Sequence, residues 1–170
     1  MRHLKAKERV ASICILIFQF ILGASAADFY WVGGGGNWSD LGHWASVSGG
    51  PANKSQVPQP ADNVFFDANS GFTAGNNVVI LNGPQQYCNN MTWSGAANNP
   101  KIQGHYENNI LNIYGSLELQ SHMQYHVGIT YFKSNVAGQT IKTNGTSIGA
   151  AGYSDYRGNI VLMVQDHGNY

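Results

Sequence analysis

No internal disulfide can brace this 170-residue chain, because Cys88 is the only cysteine beyond the first 26 residues and Cys14 is the other. Stability must come from burial and backbone pairing. Basic residues are scarce as well: beyond residue 26, Lys54, Lys101, Lys133, Lys142 and Arg157 stand against eight acids, so no basic stripe exists to neutralise phosphates. Nucleic acid is excluded as an expected partner. Long apolar runs are missing too, since Ile13 to Leu22 falls short of the roughly 20 residues a spanning helix needs and nothing comparable follows. No membrane span is expected after residue 26.

What is present begins with an address. Arg2, Lys5, Lys7 and Arg9 precede that short apolar run, and Ala24-Ser25-Ala26 follows it as a small-residue cleavage site. Residues 1–26 read as a secretory signal peptide, with Ala27 as the first mature residue. No cysteine sits just after the apolar run, which leaves a bacterial lipid anchor unsupported. The remaining chain is rich in Asn, Gly, Tyr and Trp and poor in charge, a composition that suits one extracellular β domain with hydrogen-bonded turns.

The stretch from Asn109 to Gly145 carries the clearest pattern. Leu111 and Ile113, Leu117 and Leu119, then Ile129 and Tyr131 recur as alternating apolar pairs separated by Gly, Ser and Asn, which is strand periodicity broken by turns. Further strands are predicted at 62–67, 78–81, 91–93, around Ile102, and at 140–143 and 160–164. Asn82-Gly83-Pro84, Asn98-Asn99-Pro100, Gly115-Ser116 and Asn144-Gly145 punctuate them with turn chemistry. The expectation is an all-β fold: a β-solenoid, similar to a parallel β-helix, over residues 76–170, preceded by an aromatic and Gly-rich N-terminal cap and loop region over 27–75. Stacked Asn side chains at its corners would hydrogen-bond from one coil to the next. The alternative is an antiparallel β-sandwich, because Gly115-Ser116 is short enough to turn residues 110–119 into a hairpin. Since strand 160–164 is followed directly by the last six residues, the far end of a solenoid is expected to be closed by further chain, a partner or end-to-end self-association.

Several residue groups invite chemistry. Trp31, Trp38 and Trp44 surround Gly33 to Gly36 and could either plug a solenoid end or, with Tyr114, stack on sugars. Tyr106 and Tyr125 are further outward-facing candidates for that stacking. The glycine run lacks the Lys-Ser/Thr that a phosphate loop requires, so tight turning explains it better. Asp62, Asp67 and Asn69 flank a short strand and read as Asx turns, with calcium as the cofactor that the three would otherwise share. The acids Asp62, Asp67, Glu107, Glu118, Asp155 and Asp166 are scattered, whereas a glycosidase needs two carboxyls about 5 to 9.5 Å apart. A polysaccharide lyase would also want a base, for which Arg157 is the one arginine beyond residue 26. No enzyme is expected. His122 and His126 are spaced to share a face, and His105 and His167 add imidazoles, but no Glu follows His122 as a metalloprotease helix demands. Cys88 has no evident base beside it, and Asn37, Asn53, Asn90 and Asn144 begin glycosylation sequons.

Trp31-Val32-Gly33-Gly34-Gly35-Gly36-Asn37-Trp38-Ser39-Asp40, His43-Trp44, Val57-Pro58, Asp62 to Asp67, Cys88 to Ala96, Asn98-Asn99-Pro100 and Leu111 to Leu117 together resemble a known pattern. It is that of the N-terminal segment of large secreted, repeat-rich, β-helical and adhesin-like surface proteins of Bacteroidetes-type bacteria. The resemblance implies a non-enzymatic structural or adhesive module on the cell surface, part of a longer secreted protein, with surface glycans or other extracellular proteins as partners. A carbohydrate-binding or carbohydrate-processing module is the alternative. No catalytic residue is carried over by the pattern.

Overall fold

The computed structural model describes residues 25–104, 108–148 and, for the backbone alone, 161–164. The signal-peptide reading therefore lies almost wholly outside the described residues. Apart from one 3-10 turn at Leu41–His43, the regular structure there is entirely β. No described helix is long and apolar enough to cross a membrane.

Short strands separated by Asn, Gly and Pro follow one another along the chain: β1 (Asp28–Trp31), β2 (Gly36–Asn37), β3 (Trp44–Ala45), β4 (Asn63–Asp67), β5 (Val78–Leu81), β6 (Gln85–Cys88) and β7 (Met91–Ser94). Then come β8 (Lys101–Gly104), β9 (Ile110–Ile113), β10 (Leu117–Glu118), β11 (Gln124–Val127), β12 (Ile129–Phe132), β13 (Ile141–Lys142) and β14 (Val161–Val164). They form three sheets, ordered β13-β10-β7-β4-β1-β3, β11-β8-β5-β2 and β14-β12-β9-β6. From β4 onward, neighbours in sequence thus fall in different sheets. From β4 to β10, each strand pairs in parallel with the third strand after it.

Antiparallel pairing is confined to β1 with β3 among the described ladders, which overturns the sandwich alternative. The hairpin over 110–119 that this alternative required does not form either. β9 pairs with β6 and β12, whereas β10 pairs with β7 and β13, so Gly115-Ser116 turns a corner between sheets. Burial explains the choice: a hairpin would satisfy two strands, but the parallel ladders put apolar side chains from all three sheets into one core. Register aligns Val64, Met91 and Leu117 in the first sheet and Val79, Ile102 and Tyr125 in the second. Cys88, Ile113 and Phe132 align in the third. All of these are buried.

Polar side chains then tie the corners together. Asn63 Oδ1 accepts from Asn89 Nδ2 at 3.2 Å and Asn90 Nδ2 at 2.9 Å, while Asn90 Oδ1 accepts the Ser116 N–H at 2.7 Å. Ser116 Oγ continues the chain, accepting the Thr140 N–H at 3.0 Å and donating to Gln139 Oε1 at 2.9 Å. One hydrogen-bonded file thereby runs across β4, β7, β10 and β13. At another corner Gln120 imitates a strand residue: its Oε1 accepts the Ala96 N–H at 2.8 Å and its Nε2 donates to the Ala96 carbonyl at 2.7 Å. The expected Asn98-Asn99 and Asn144 turns do adopt the left-handed backbone that Asn tolerates, at φ 62°, 49° and 47°.

Candidate functional site

The tryptophans for which a sugar platform was the alternative to an N-terminal cap are in the core. Trp31 and Trp44 are 0 % exposed and Trp38 is 2 % exposed, so none offers an open face to a ligand. Three short elements bring them together: β1 supplies Trp31, β3 supplies Trp44, and the turn after β2 supplies Trp38. Trp44 stands edge-on to Trp31 and Trp38, each with ring centres 4.9 Å away, and its Nε1 donates to the Trp38 carbonyl at 2.9 Å. Phe66 joins from β4 and stacks on Trp93 of β7 at 3.8 Å. Burial of five large rings outweighs any use of their faces for stacking on solvent-borne sugars.

Tyr125 is corrected in the same way. It lies inward on β11, 1 % exposed, sharing a 2.6 Å hydrogen bond with Thr130 Oγ1. Burial pushes its phenol well up from the ordinary value, against the pull of that bond. Tyr114, directly after β9, is half-buried with its N–H donated to the Cys88 carbonyl at 3.0 Å. Tyr106 lies outside the described residues.

Asp62, Asp67 and Asn69 are not brought to one point. Asp62 precedes β4 and Asp67 ends it, five residues on along an extended strand, hence about 16 Å apart. A calcium ion bonds oxygens at about 2.3–2.6 Å and cannot bridge that span. Each carboxylate has a backbone task instead. Buried Asp62 accepts the Ala27 N–H at 3.0 Å and the Gln59 N–H at 2.9 Å, and Asp67 closes the expected Asx turn on the Asn69 N–H at 2.8 Å. Asn69 in turn donates to Ser48 Oγ at 2.9 Å. No group of three His, Cys, Asp or Glu side chains suited to a metal occurs among the described residues.

Of the other titratable candidates, Glu118 faces outward on β10 in register with Thr92 and Lys142. Glu107, Asp155, Asp166, Arg157, His105 and His167 lie outside the described residues. His122 is exposed in a turn with φ 58°, while His126 is half-buried on β11. Burial of Cys88 pushes its thiol far above the ordinary range, which makes it a core residue and a poor nucleophile. The Asn90 and Asn144 sequon amides are engaged at corners, Asn144 Nδ2 donating to the Leu119 carbonyl at 2.7 Å.

His126 makes stability depend on pH. Desolvation, then the nearby Lys101 cation, lowers its pKa from the ordinary 6.5. The unfolded chain therefore binds the proton more readily, and the folded state loses stability as pH falls through about 6.5 toward the lowered value. His126→Gln is expected to flatten that part of the curve in denaturant titrations at successive pH values. An unchanged acid limb would assign the loss to other groups.

A face that the sequence pattern leaves unmarked holds two further tyrosines. Tyr87 of β6, Asn112 of β9 and Tyr131 of β12 are in register on adjacent parallel strands. Their neighbours Cys88, Ile113 and Phe132 point inward, so this row points out. Gln85, Ile110 and Ile129 form the parallel outward row two residues earlier. Both tyrosines are half-buried, but Asn112 between them is 0 % exposed. Asn112 Nδ2 donates to the Gln86 carbonyl at 3.1 Å and to Gln85 Oε1 at 3.2 Å, and Gln85 Oε1 also accepts the Tyr87 hydroxyl at 3.2 Å. No donor among the described residues meets Asn112 Oδ1. Lys133 places its ammonium 5.3 Å from the Tyr131 ring centre. The sequence signal was the alternation of Gln86 and Cys88 around Tyr87, obscured by a glutamine at an inward position.

In comparison with known proteins, no family model, no curated protein and no solved structure matches the chain.

Proposed function

We propose that the chain is a β-solenoid module of a larger secreted, cell-surface protein, with a structural or adhesive role and no catalytic one. The observation that carries this reading is the pairing of each strand from β4 to β10 with the third strand after it, in three parallel ladders around one core. A chain wound in successive three-strand coils has that pairing, and each coil can bury its apolar face only against the next. Polar corner files such as Asn63, Asn90 and Ser116 support the same reading, because they bond from one ladder position to the next. In it, the Trp31, Trp38 and Trp44 cluster is the N-terminal plug, seated beside the strands at the end of the six-stranded sheet. The leader-like residues 1–26 and the resemblance to adhesin-like surface proteins support export to the outer surface. Extracellular proteins, surface glycans or a second copy meeting end to end are the partners of such a module.

Brief protease treatment of intact source cells tests the location. Peptides from the exposed Ser, Gly and Pro-rich loop around residues 46–56 should be released while cytoplasmic markers stay intact. The native product should also have an intact mass well above that of residues 27–170. A product cut only after cell lysis would sink the surface reading, and a mass equal to residues 27–170 would sink the larger protein.

A further inference from the structure

We propose that the outer face of the β6-β9-β12 sheet is a glycan-binding platform, with Tyr87 and Tyr131 stacking on the apolar faces of β-linked pyranose rings and Asn112 Oδ1 receiving a sugar hydroxyl. The proposal names a ligand for the surface-module reading and rests on it for the source of that ligand.

Three features of the face converge on this chemistry. Spacing is the first: the tyrosines stand two strands apart, about 9.6 Å at the usual sheet spacing, with a shorter side chain between them. That gap exceeds one pyranose ring, so the platform suits a chain of several sugars and not a single one. Surface character is the second. Ile110 and Ile129 lie beside the tyrosines and Gln85 beside Tyr87, which gives apolar area for sugar C–H faces and an exposed amide for hydroxyls. Hydrogen bonding is the third. An Asn whose nitrogen is committed twice while its buried oxygen is unmet bears the cost of a desolvated acceptor, and a neutral hydroxyl donor removes that cost. A cation is a poorer match, because Lys133 already sits beside Tyr131. The Asn112 amide is 0 % exposed in the free protein, so binding of the hydroxyl includes movement of a covering side chain.

Calorimetric titration of the purified mature protein with cellohexaose, xylohexaose and mannohexaose, and with glucose as the short control, tests the platform. At least one hexaose should bind, glucose should bind far more weakly, and Tyr87→Ala or Tyr131→Ala should each weaken binding by about tenfold. Tyr30→Ala, which removes a half-buried tyrosine from a different sheet, should leave binding and its stoichiometry unchanged. Thermal melts of all variants separate lost folding from lost binding, and Tyr131→Phe should retain most of the affinity because it keeps the ring. Absence of binding to every hexaose would overturn the platform, as would affinity indifferent to Tyr87 and Tyr131 or equally sensitive to Tyr30. Dimerisation lost with Tyr131→Ala, without any glycan binding, would overturn it in favour of a second copy on this face. Protease shaving of cells reports the location independently, so either reading can fail while the other stands.

Discussion

Trp44→Ala should lower stability by roughly 3–5 kcal/mol, the range for truncating a large buried aromatic, and should lower the melting temperature by about 10 °C in a domain of this size. Trp44 sits where four other rings meet: Trp31 and Trp38 edge-on at 4.9 Å, Phe29 at 5.9 Å and Phe66 at 6.3 Å. Alanine would remove all four contacts and leave the Trp38 carbonyl without the indole N–H that it accepts at 2.9 Å. The backbone would be unaffected, since Trp44 pairs with Trp31 and accepts the Asn53 and Lys54 N–H groups through main-chain atoms. Trp44→Phe separates packing from the hydrogen bond. It keeps an aromatic ring at the centre of the cluster and should cost well under half as much. Guanidinium unfolding of both variants provides the check. A Trp44→Ala protein within about 1 kcal/mol of the parent would mean that the ring cluster is dispensable and that the first strands are held by their ladders alone.

How much of this was legible follows from where side-chain period and burial agree. Val78 to Leu81 and Ile129 to Phe132 are found as strands at the predicted positions, because β-branched and aromatic residues alternate or run there between turn residues. β6 and β11 escaped. In β6 the inward positions are Gln86 and Cys88, so the polar residue hides the period. In β11 the His122 and His126 spacing suits metal ligation as well as a strand, although Tyr125 and Val127 alternate inward around His126. Without a strand marked there, nothing in the sequence sets Tyr125 inward. Strand direction could not be read at all: Gly115-Ser116 is short enough for a hairpin, and only the register of Ile113 beside Cys88 and Phe132 distinguishes a corner from a reversal. The corner chemistry was legible, because Asn serves there both as a left-handed turn residue and as an amide that reaches the adjacent ladder position. The candidate face of Tyr87, Asn112 and Tyr131 was not. Its members are separated by 25 and 19 residues and meet only once three parallel strands are in register.

Gly36→Ala should destabilise the protein by roughly 1–3 kcal/mol, the usual cost of overpacking a filled site. The sign is informative, because a glycine whose φ lies outside the left-handed region would otherwise gain about 0.4–1 kcal/mol on becoming alanine through the smaller entropy of the unfolded chain. Gly36 is not among the glycines with positive φ, so backbone strain is not the obstacle. Its missing Cβ is. An added methyl would stand 2.6 Å from His43 Cδ2 and 2.8 Å from His43 Cε1, closer than carbon atoms approach. His43 has little room to withdraw: its ring lies flat on Trp31 with centres 4.5 Å apart, and Nδ1 is 2.6 Å from the Val32 carbonyl. The imidazole thus acts as a clasp across the glycine run, joining β1 and β2 to the 3-10 turn that leads into β3. The double variant Gly36→Ala/His43→Ala should recover much of the loss caused by Gly36→Ala in the presence of His43, and a double-mutant cycle from chemical unfolding measures that coupling. Destabilisation that persists undiminished in the double variant would place the clash elsewhere, while a neutral or stabilising Gly36→Ala would mean that His43 swings aside and is no clasp.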